Sequence, residues 1–524
     1  MGGSPVAEKP TLTKKLLRRA FWVWEFFSHS TYNYHTLQGT AFGHALSRIF
    51  RRLYPNDPQK AAEKTQKHMG FFNTEPCYGL LIHGVTIHLE EKQAQGAPVS
   101  EEAIESMKTN LMGPLAGFGD AITQGMIVPL SLALSVAFVL HGALWPPIAY
   151  VICVFSVLAA IGYVMWMRGY EKGPSAISHL LSAGKAQRLV SAAKLLGSMI
   201  LGGLLAQCII LPLPVWFSGV SPLMAGYLGC AAAVVVSLLL YALQKKVRPN
   251  PMIYALVILG GICGALGVFP ARFALSPHPV SLWQCLLLGL CYFLSHSSFT
   301  TCVAFVTITR PIWSGFVVGL VLGDVALGCL MGAYLQLMYL CFIGVGGAMP
   351  TDLSLAGYGG IAVSMALGLP AESVLALCFL FGRLGSYLWP LRMKWNAKFS
   401  ERAVQCAQNG DYAGITRWHV FASQGALALV TILPCALLIY LPSLLLPATA
   451  CWPLWLLSAM YGASAFLPCV GVASNLRSLT TDKHAWPFFF AGILLHLIGL
   501  DLLWIAVLAL PTGYFIYRKS AQRA

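Results

Sequence analysis

The sequence predicts an all-α, polytopic membrane protein with two fused membrane blocks, amphipathic N-terminal helices, and several broken or re-entrant helices. Three observations predict this. Of the 524 residues, 57% are hydrophobic and only 10% charged, where a soluble protein carries roughly 25% charge. Apolar runs near the ~20 residues of a spanning helix recur along the chain. They lie at 126–166 (two spans' worth), 196–216, 223–243, 252–270, 283–308, 312–345, 358–382, 424–447, 451–472 and 486–516. That implies about nine to twelve membrane segments. Third, glycine, proline and isolated polar residues interrupt these runs, most densely in 310–352.

Residues 1–110 are the most polar region and read as amphipathic helices. Asp57-Pro58 is a helix start, an N-cap acid followed by proline at the first helical position. Behind it Ala62, Thr65, Met69 and Phe72 fall on one face at three- and four-residue spacing. Ser100, followed by Glu101 and Glu102, is a second start, with acids opposing the helix dipole. Membrane spans follow to residue 269. A proline- and turn-rich joint over 270–282 then leads into a second block, 283–524. Inside that block a polar insert, 392–418, contains the turn NGDYAG, 409–414.

The formal net charge is +15. In a soluble protein that would suggest nucleic acid, but here Lys and Arg collect beside the spans: Lys14, Lys15, Arg18 and Arg19, Arg168 and Lys172, Lys245, Lys246 and Arg248, and residues 383–402 and 518–523. This is the positive-inside pattern, with anionic lipid headgroups as the partner and no nucleic acid. It places both termini and the 168–188 and 245–248 loops in the cytoplasm. The 15 cysteines are scattered through apolar runs without a C-x-x-C pair, so neither a disulfide framework nor a metal site is expected. His83 and His88 lack the H-E-x-x-H arrangement, and no phosphate cradle or nucleophile grouping appears. No cofactor and no catalytic residue is expected.

Three polar constellations stand out. FFSHSTYNYHTLQG, 26–39, interleaves rings with amides and hydroxyls, the mixture carbohydrate sites use; an interfacial aromatic belt is the alternative. FFNTEP, 71–76, supplies Asn73 and Glu75 beside the break at Pro76, and LMGPLAGFGD, 111–120, ends on Asp120, which could equally be a headgroup-level acid. The third, 310–352, carries Asp324, Gln336 and Asp352 within apolar sequence, where a charge normally faces protein interior or a water-filled path. Its glycines 315, 319, 323, 328 and 332 recur mostly every fourth residue and put a smooth stripe along a helix, suited to close packing or sliding. GGAMPTD, 346–352, cannot continue a helix, and irregular backbone at membrane depth must be buried or line a cavity.

These motifs resemble a known family. TKKLLRRAF, FFSHSTYNYHTLQGTAF, RRLYP, HMGFFNTEP, GVTIHLEE, SMKTNLMGPLAGFGD and LQKKVRPNP make residues 11–269 similar to the IID component of mannose-family phosphotransferase-system sugar transporters. RPIWSGFVVGLVLGD, GAYLQLMYL, VGGAMPTDLSLAGYGG, LRMKWNAKFSERA and NGDYAGITRWH make 283–524 resemble the IIC component. The resemblance implies a fused permease unit of a bacterial inner membrane, not an enzyme. It would take up a hexose or amino sugar by elevator-like sliding of a rigid block, for phosphorylation by a separate phosphorylated IIA/IIB protein, and assemble as a homotrimer. At polar motif positions near membrane breaks it points to Asn33, Gln38, Asn73, Glu75, Asp120, Thr307, Arg310, Asp324, Gln336 and Asp352 as sugar contacts. Gln336 stands where some mannose-type members have glutamate, and Thr307 where some have glutamine; the pattern leans toward the amino-sugar or sorbose-like branch. The competing readings are a proton-coupled sugar transporter using Asp120, Asp324 and Asp352, and a sugar-sensing membrane scaffold.

Overall fold

The computed structural model describes residues 12–181, 183–269, 275–300, 306–340, 342, 349–444, 452–480 and 484–522. Regular structure among them is helical, apart from an isolated parallel bridge between Leu37 and Phe72. The polar N-terminal region forms α1 (Lys14–Phe27), α2 (Gly39–Leu53), α3 (Pro58–Lys67) and α4 (Leu80–Ala94). Asp57 caps α3 by accepting Lys60 N at 2.9 Å, with Pro58 as its first residue. Ala62, Thr65, Met69 and Phe72 are all buried, though α3 stops at Lys67, so the last two reach the core from beyond the helix. An aromatic core of Trp24, Phe42, Phe50 and Phe72 joins these helices. Buried beside it, Lys64 pairs with Glu90 at 2.8 Å and His68 meets the other Glu90 oxygen at 2.9 Å.

α5 (Glu101–Leu140) is 40 residues long. Ser100 caps it, Oγ accepting Ala103 N at 3.2 Å. It passes through Pro114 and a π-helical stretch, Thr123–Ile127. The first membrane helix therefore starts far ahead of residue 126, because capping and helix propensity extend it beyond its apolar part. α6 (Pro146–Lys172), α7 (Ala183–Cys208), α8 (Pro222–Leu243) and α9 (Pro249–Ala265) complete the first half. The expected 168–188 loop is mostly helix; α6 continues to Lys172 and ends at Gly173, whose φ is +57°.

The second half contains α10 (Leu282–His296), α11 (Pro311–Leu322), α12 (Val325–Met338) and α13 (Leu353–Ala366). α14 (Leu375–Gln408), α15 (Tyr412–Ser443), α16 (Leu454–Leu479), α17 (Ala485–Leu497) and α18 (Leu502–Gln522) follow. The 358–382 run is not one span, because the chain turns at Gly368, φ +70°, before α14 begins. α14 is 34 residues long and carries the apolar run directly into the polar insert.

The glycine stripe takes a different form from the one expected. Gly323, φ +88°, ends α11, and Asp324 caps α12 by accepting Leu327 N at 2.9 Å. The glycines thus line the facing sides of an antiparallel hairpin rather than one face of one helix. A Cβ on Gly315 would lie 2.7 Å from Gly332 Cα, and one on Gly319 would lie 2.8 Å from Val325 Cα. At 1.5 Å per residue the arms are about 18 and 21 Å long, short of the ~30 Å hydrocarbon core. The stretch is a helical hairpin whose arms are each too short to span by themselves.

Among the described residues six helical segments are long and apolar enough to cross a membrane. The two halves interlock. α17 and α18 pack on α7, α16 packs on α9, and α12 packs on α5. Where α7 crosses α17, a side chain on Gly202 would collide with Phe489 O and one on Gly492 with Met199 O. Small residues are what permit such backbone contact.

Candidate functional site

Asp352 is the most tightly held acid of the second half. It is 2% exposed and caps α13, Oδ1 accepting Ser354 N at 2.9 Å and Leu355 N at 3.0 Å. Tyr292 donates to Oδ2 at 2.7 Å, and His296 Nε2 lies 3.1 Å from Oδ1. The acid faces a small recess lined by Tyr292, His296, Met349, Asp352, Trp389, Arg392 and Thr431, among others. Arg392 donates to His296 O at 3.2 Å and stands over Trp389, 5.4 Å from the ring centroid. A carboxylate, a phenol, an imidazole, a hydroxyl and a flat indole together can hold a polyol: the polar groups pair with OH and the ring covers CH faces.

The loop 28–38 of the first half closes on this region. Tyr32 packs with Leu37, Met393 and Trp389, and Asn396 Nδ2 donates to Tyr32 O at 2.9 Å. Ser30 donates to Ser298 Oγ at 2.6 Å, and Gln424 Oε1 accepts Ser297 Oγ and Ser298 N at 2.9 and 3.0 Å. Thr31 meets His419 Nδ1 at 2.7 Å, while Thr40 reaches Ser400. His29 stacks on Tyr32 with ring centroids 5.2 Å apart. Burial, then the neighbouring Arg392 charge, hold the His29 ring down at about 4, so it is neutral at physiological pH.

The other predicted contacts divide by position. Asn33 is fully buried and serves its own loop: Oδ1 accepts His35 N and Thr36 N, and Nδ2 donates to Thr31 O and Thr36 Oγ1, at 2.8–3.1 Å. Gln38 exchanges two hydrogen bonds with the Thr74 backbone, at 3.1 and 3.2 Å, and lies 3.5 Å from His29 Nε2. Asn73 Oδ1 lies 3.4 Å from Tyr32 OH, which brings the FFNTEP segment to the same loop. Glu75 Oε2 accepts Cys77 N and Tyr78 N at 3.0 and 2.6 Å, and burial pushes its carboxyl up to about 7. Asp120, on α5, accepts Gln124 Nε2 at 2.7 Å.

Thr307 is buried in the turn before α11, its carbonyl accepting Arg310 N at 3.0 Å. Arg310 caps that helix's start and donates to Phe342 O at 3.2 Å. Asp324 is part-exposed at the hairpin tip, 3.7 Å from His278 of the joint. Gln336 is fully buried on α12, and among the described residues neither of its amide atoms has a partner. Residues 346–348 of the GGAMPTD stretch lie outside the described residues; Met349, Pro350 and Thr351 are non-helical, as expected.

Of the ten predicted contacts, only Asp352 lines the recess, while Asn33 and Gln38 belong to the loop that closes on it and Asn73 reaches that loop. Tyr292, His296, Trp389, Arg392 and Thr431 were not singled out as contacts from sequence. The available signal was SHSS directly after an apolar run and an Arg within WPLRMKW, at the start of the insert.

The chain matches two family models in tandem. Residues 11–269 match "PTS system mannose/fructose/sorbose family IID component", and residues 282–514 match "PTS system sorbose-specific IIC component". It is 31% identical over 273 residues to the mannose-specific EIID component of Escherichia coli K12, covering 49% of this chain and 96% of that protein. The sorbose-specific EIID component of Klebsiella pneumoniae is 30% identical over 251 residues, covering 45% and 91%. The N-acetylgalactosamine permease IIC component 1 of Escherichia coli K12 is 26% identical over 256 residues, covering 47% and 93%.

Proposed function

Because this chain belongs to the mannose/fructose/sorbose family of the phosphotransferase system, with a IID and a IIC component in tandem on one multi-pass sugar-permease polypeptide, we propose that it takes up a hexose or amino sugar through the Asp352 recess. The observation that carries this reading is Asp352 itself, a buried carboxylate oriented by four donors beside Tyr292, His296, Thr431 and the face of Trp389. Such a site suits a neutral polyol better than an ion, since its groups come as hydrogen-bond partners and an aromatic face. The loop 28–38, Asn33 and Gln38 among its residues, forms its lid from the IID side, with Asn73 behind it. We place the joint between the units at 270–282; the ends of the two matched segments, at 269 and 282, support that reading.

The phosphoryl group comes from a separate IIA/IIB protein at the cytoplasmic face of a bacterial inner membrane. Both termini lie on that face, the permease moves its sugar site in an elevator-like way, and three copies assemble among anionic lipids. The basic clusters beside the spans support the orientation.

Thermal stabilisation of the purified chain by mannose, glucose, sorbose, N-acetylgalactosamine and glucosamine tests the site. At least one sugar raises the melting temperature, and Asp352→Asn weakens that sugar about tenfold or more, as loss of a charged hydrogen-bond partner does. Uptake that continues without phosphohistidine donors but stops when the proton gradient collapses overturns the reading.

A further inference from the structure

A site for a neutral sugar has no need of a guanidinium, yet Arg392 lines this one. It sits on α14, shares the recess with Asp352, and among the described residues makes no ion pair. A guanidinium with no carboxylate partner beside a buried acid calls for a role of its own. Its position is fixed: one nitrogen donates to His296 O at 3.2 Å, and the guanidinium lies over Trp389. It also opens the basic run Arg392, Lys394, Lys398 and Arg402 in the sequence.

The reaction changes the cargo's charge. The sugar hydroxyl oxygen forms a bond to phosphorus as the donor's P–N bond breaks, and the hydroxyl proton passes to the departing imidazole. A neutral sugar becomes an ester carrying about −1.5 to −2 charges at neutral pH. Asp352, in the same recess, repels that product, and among the described lining residues Arg392 is the only arginine or lysine. The planar guanidinium offers the paired donors that fit phosphate oxygens.

We propose that Arg392 is the phosphoryl-anchoring residue of the recess, binding the phosphorylated sugar opposite Asp352 and taking little part in holding the free sugar. The inference rests on the Asp352 recess being the sugar site. It makes the recess two-ended, with a polyol end at Asp352, Tyr292 and His296 and an anion end at Arg392.

The test compares thermal stabilisation of the full chain by the five free sugars and by their 6-phosphates, for wild type, Arg392→Gln and Arg392→Lys. Wild type binds the 6-phosphate of its sugar, and Arg392→Gln weakens the ester about 10–100-fold while changing the free sugar less than about threefold. Arg392→Lys falls between, keeping the charge without the planar fork. Below pH ~6, where the phosphate loses its second charge, the wild-type advantage narrows. Equal weakening of sugar and ester, an ester indifferent to Arg392, or a wild type that binds no ester overturns the inference. If Arg392→Gln does not fold, Arg392→Lys decides: an ester unaffected by that change also overturns it. Should no free sugar stabilise the protein, the sugar site itself is wrong; should the sugars bind without an Arg392 effect on the ester, only this inference fails.

Discussion

Two buried side chains illustrate how local chemistry sets both stability and recognition. Lys64 and Glu90 form an almost fully buried ion pair, with His68 on the second carboxylate oxygen. Lys64→Met leaves Glu90 charged and uncompensated, so about 3–5 kcal/mol of stability is lost, measurable by thermal or denaturant unfolding. Burial holds the His68 ring below its usual 6.5, its Glu90 hydrogen bond only partly opposing. Burial pushes Glu90 up, but the hydrogen bonds and charges of His68 and Lys64 outweigh it and keep the carboxyl below its usual 4.5. Both groups therefore take protons less readily folded than unfolded. Their stabilisation is complete above about pH 6.5 for His68 and about 4.5 for Glu90, and is lost as pH falls. The melting temperature should drop between pH ~7 and ~5, and His68→Gln should flatten that slope. Gln336 is the converse case, a buried amide with no partner among the described residues. Gln336→Leu should leave the free protein as stable or up to about 3 kcal/mol more stable. If the amide reads a sugar hydroxyl or acyl group, the same change removes sugar-induced stabilisation; an unchanged shift strikes Gln336 from the site.

Among the elements, the α11–α12 hairpin depends most on its glycines. Its arms touch backbone to backbone, and a side chain on Gly328 would meet Gly319 Cα at 2.5 Å. Gly328→Val should therefore separate the arms and abolish a stable, monodisperse protein, read by size-exclusion chromatography after detergent extraction. Gly323→Ala should be milder, about 1 kcal/mol, because only the left-handed φ is strained and nothing lies within 4 Å of the new methyl. Element starts were the most legible part of the sequence: Asp57-Pro58 and Ser100 cap their helices as read, since capping is a local interaction. The hairpin was not legible as such, because a glycine repeat specifies close packing without saying whether the partner is another helix or the same chain turned back. Likewise Asp352 could be picked out as a polar residue at a break, whereas Tyr292, His296, Trp389 and Arg392 meet it only through the crossing of α10, α13 and α14.

For the whole molecule, the joint carries little of the assembly. The halves hold one another through α7 with α17 and α18, α9 with α16, and α5 with α12. Tyr150 of α6 also donates to Val306 O in the other half. Cutting the chain within 270–274 and co-expressing the two pieces should therefore give fragments that purify together through a tag on either one, with sugar uptake retained. Fragments that separate would mean the covalent joint, not packing, keeps the units together.

The wrapping of α17 and α18 around α7 also sets a timetable for biogenesis. The glycine face of α7, at Gly202, is inserted early, but the helix that covers it at Gly492 leaves the ribosome almost three hundred residues later. Until then that face has only lipid or an insertion chaperone against it. Premature stops after α16 would spare the recess residues yet leave α7 unclosed, so such truncated chains should be degraded by membrane proteases and not accumulate as partly active transporters.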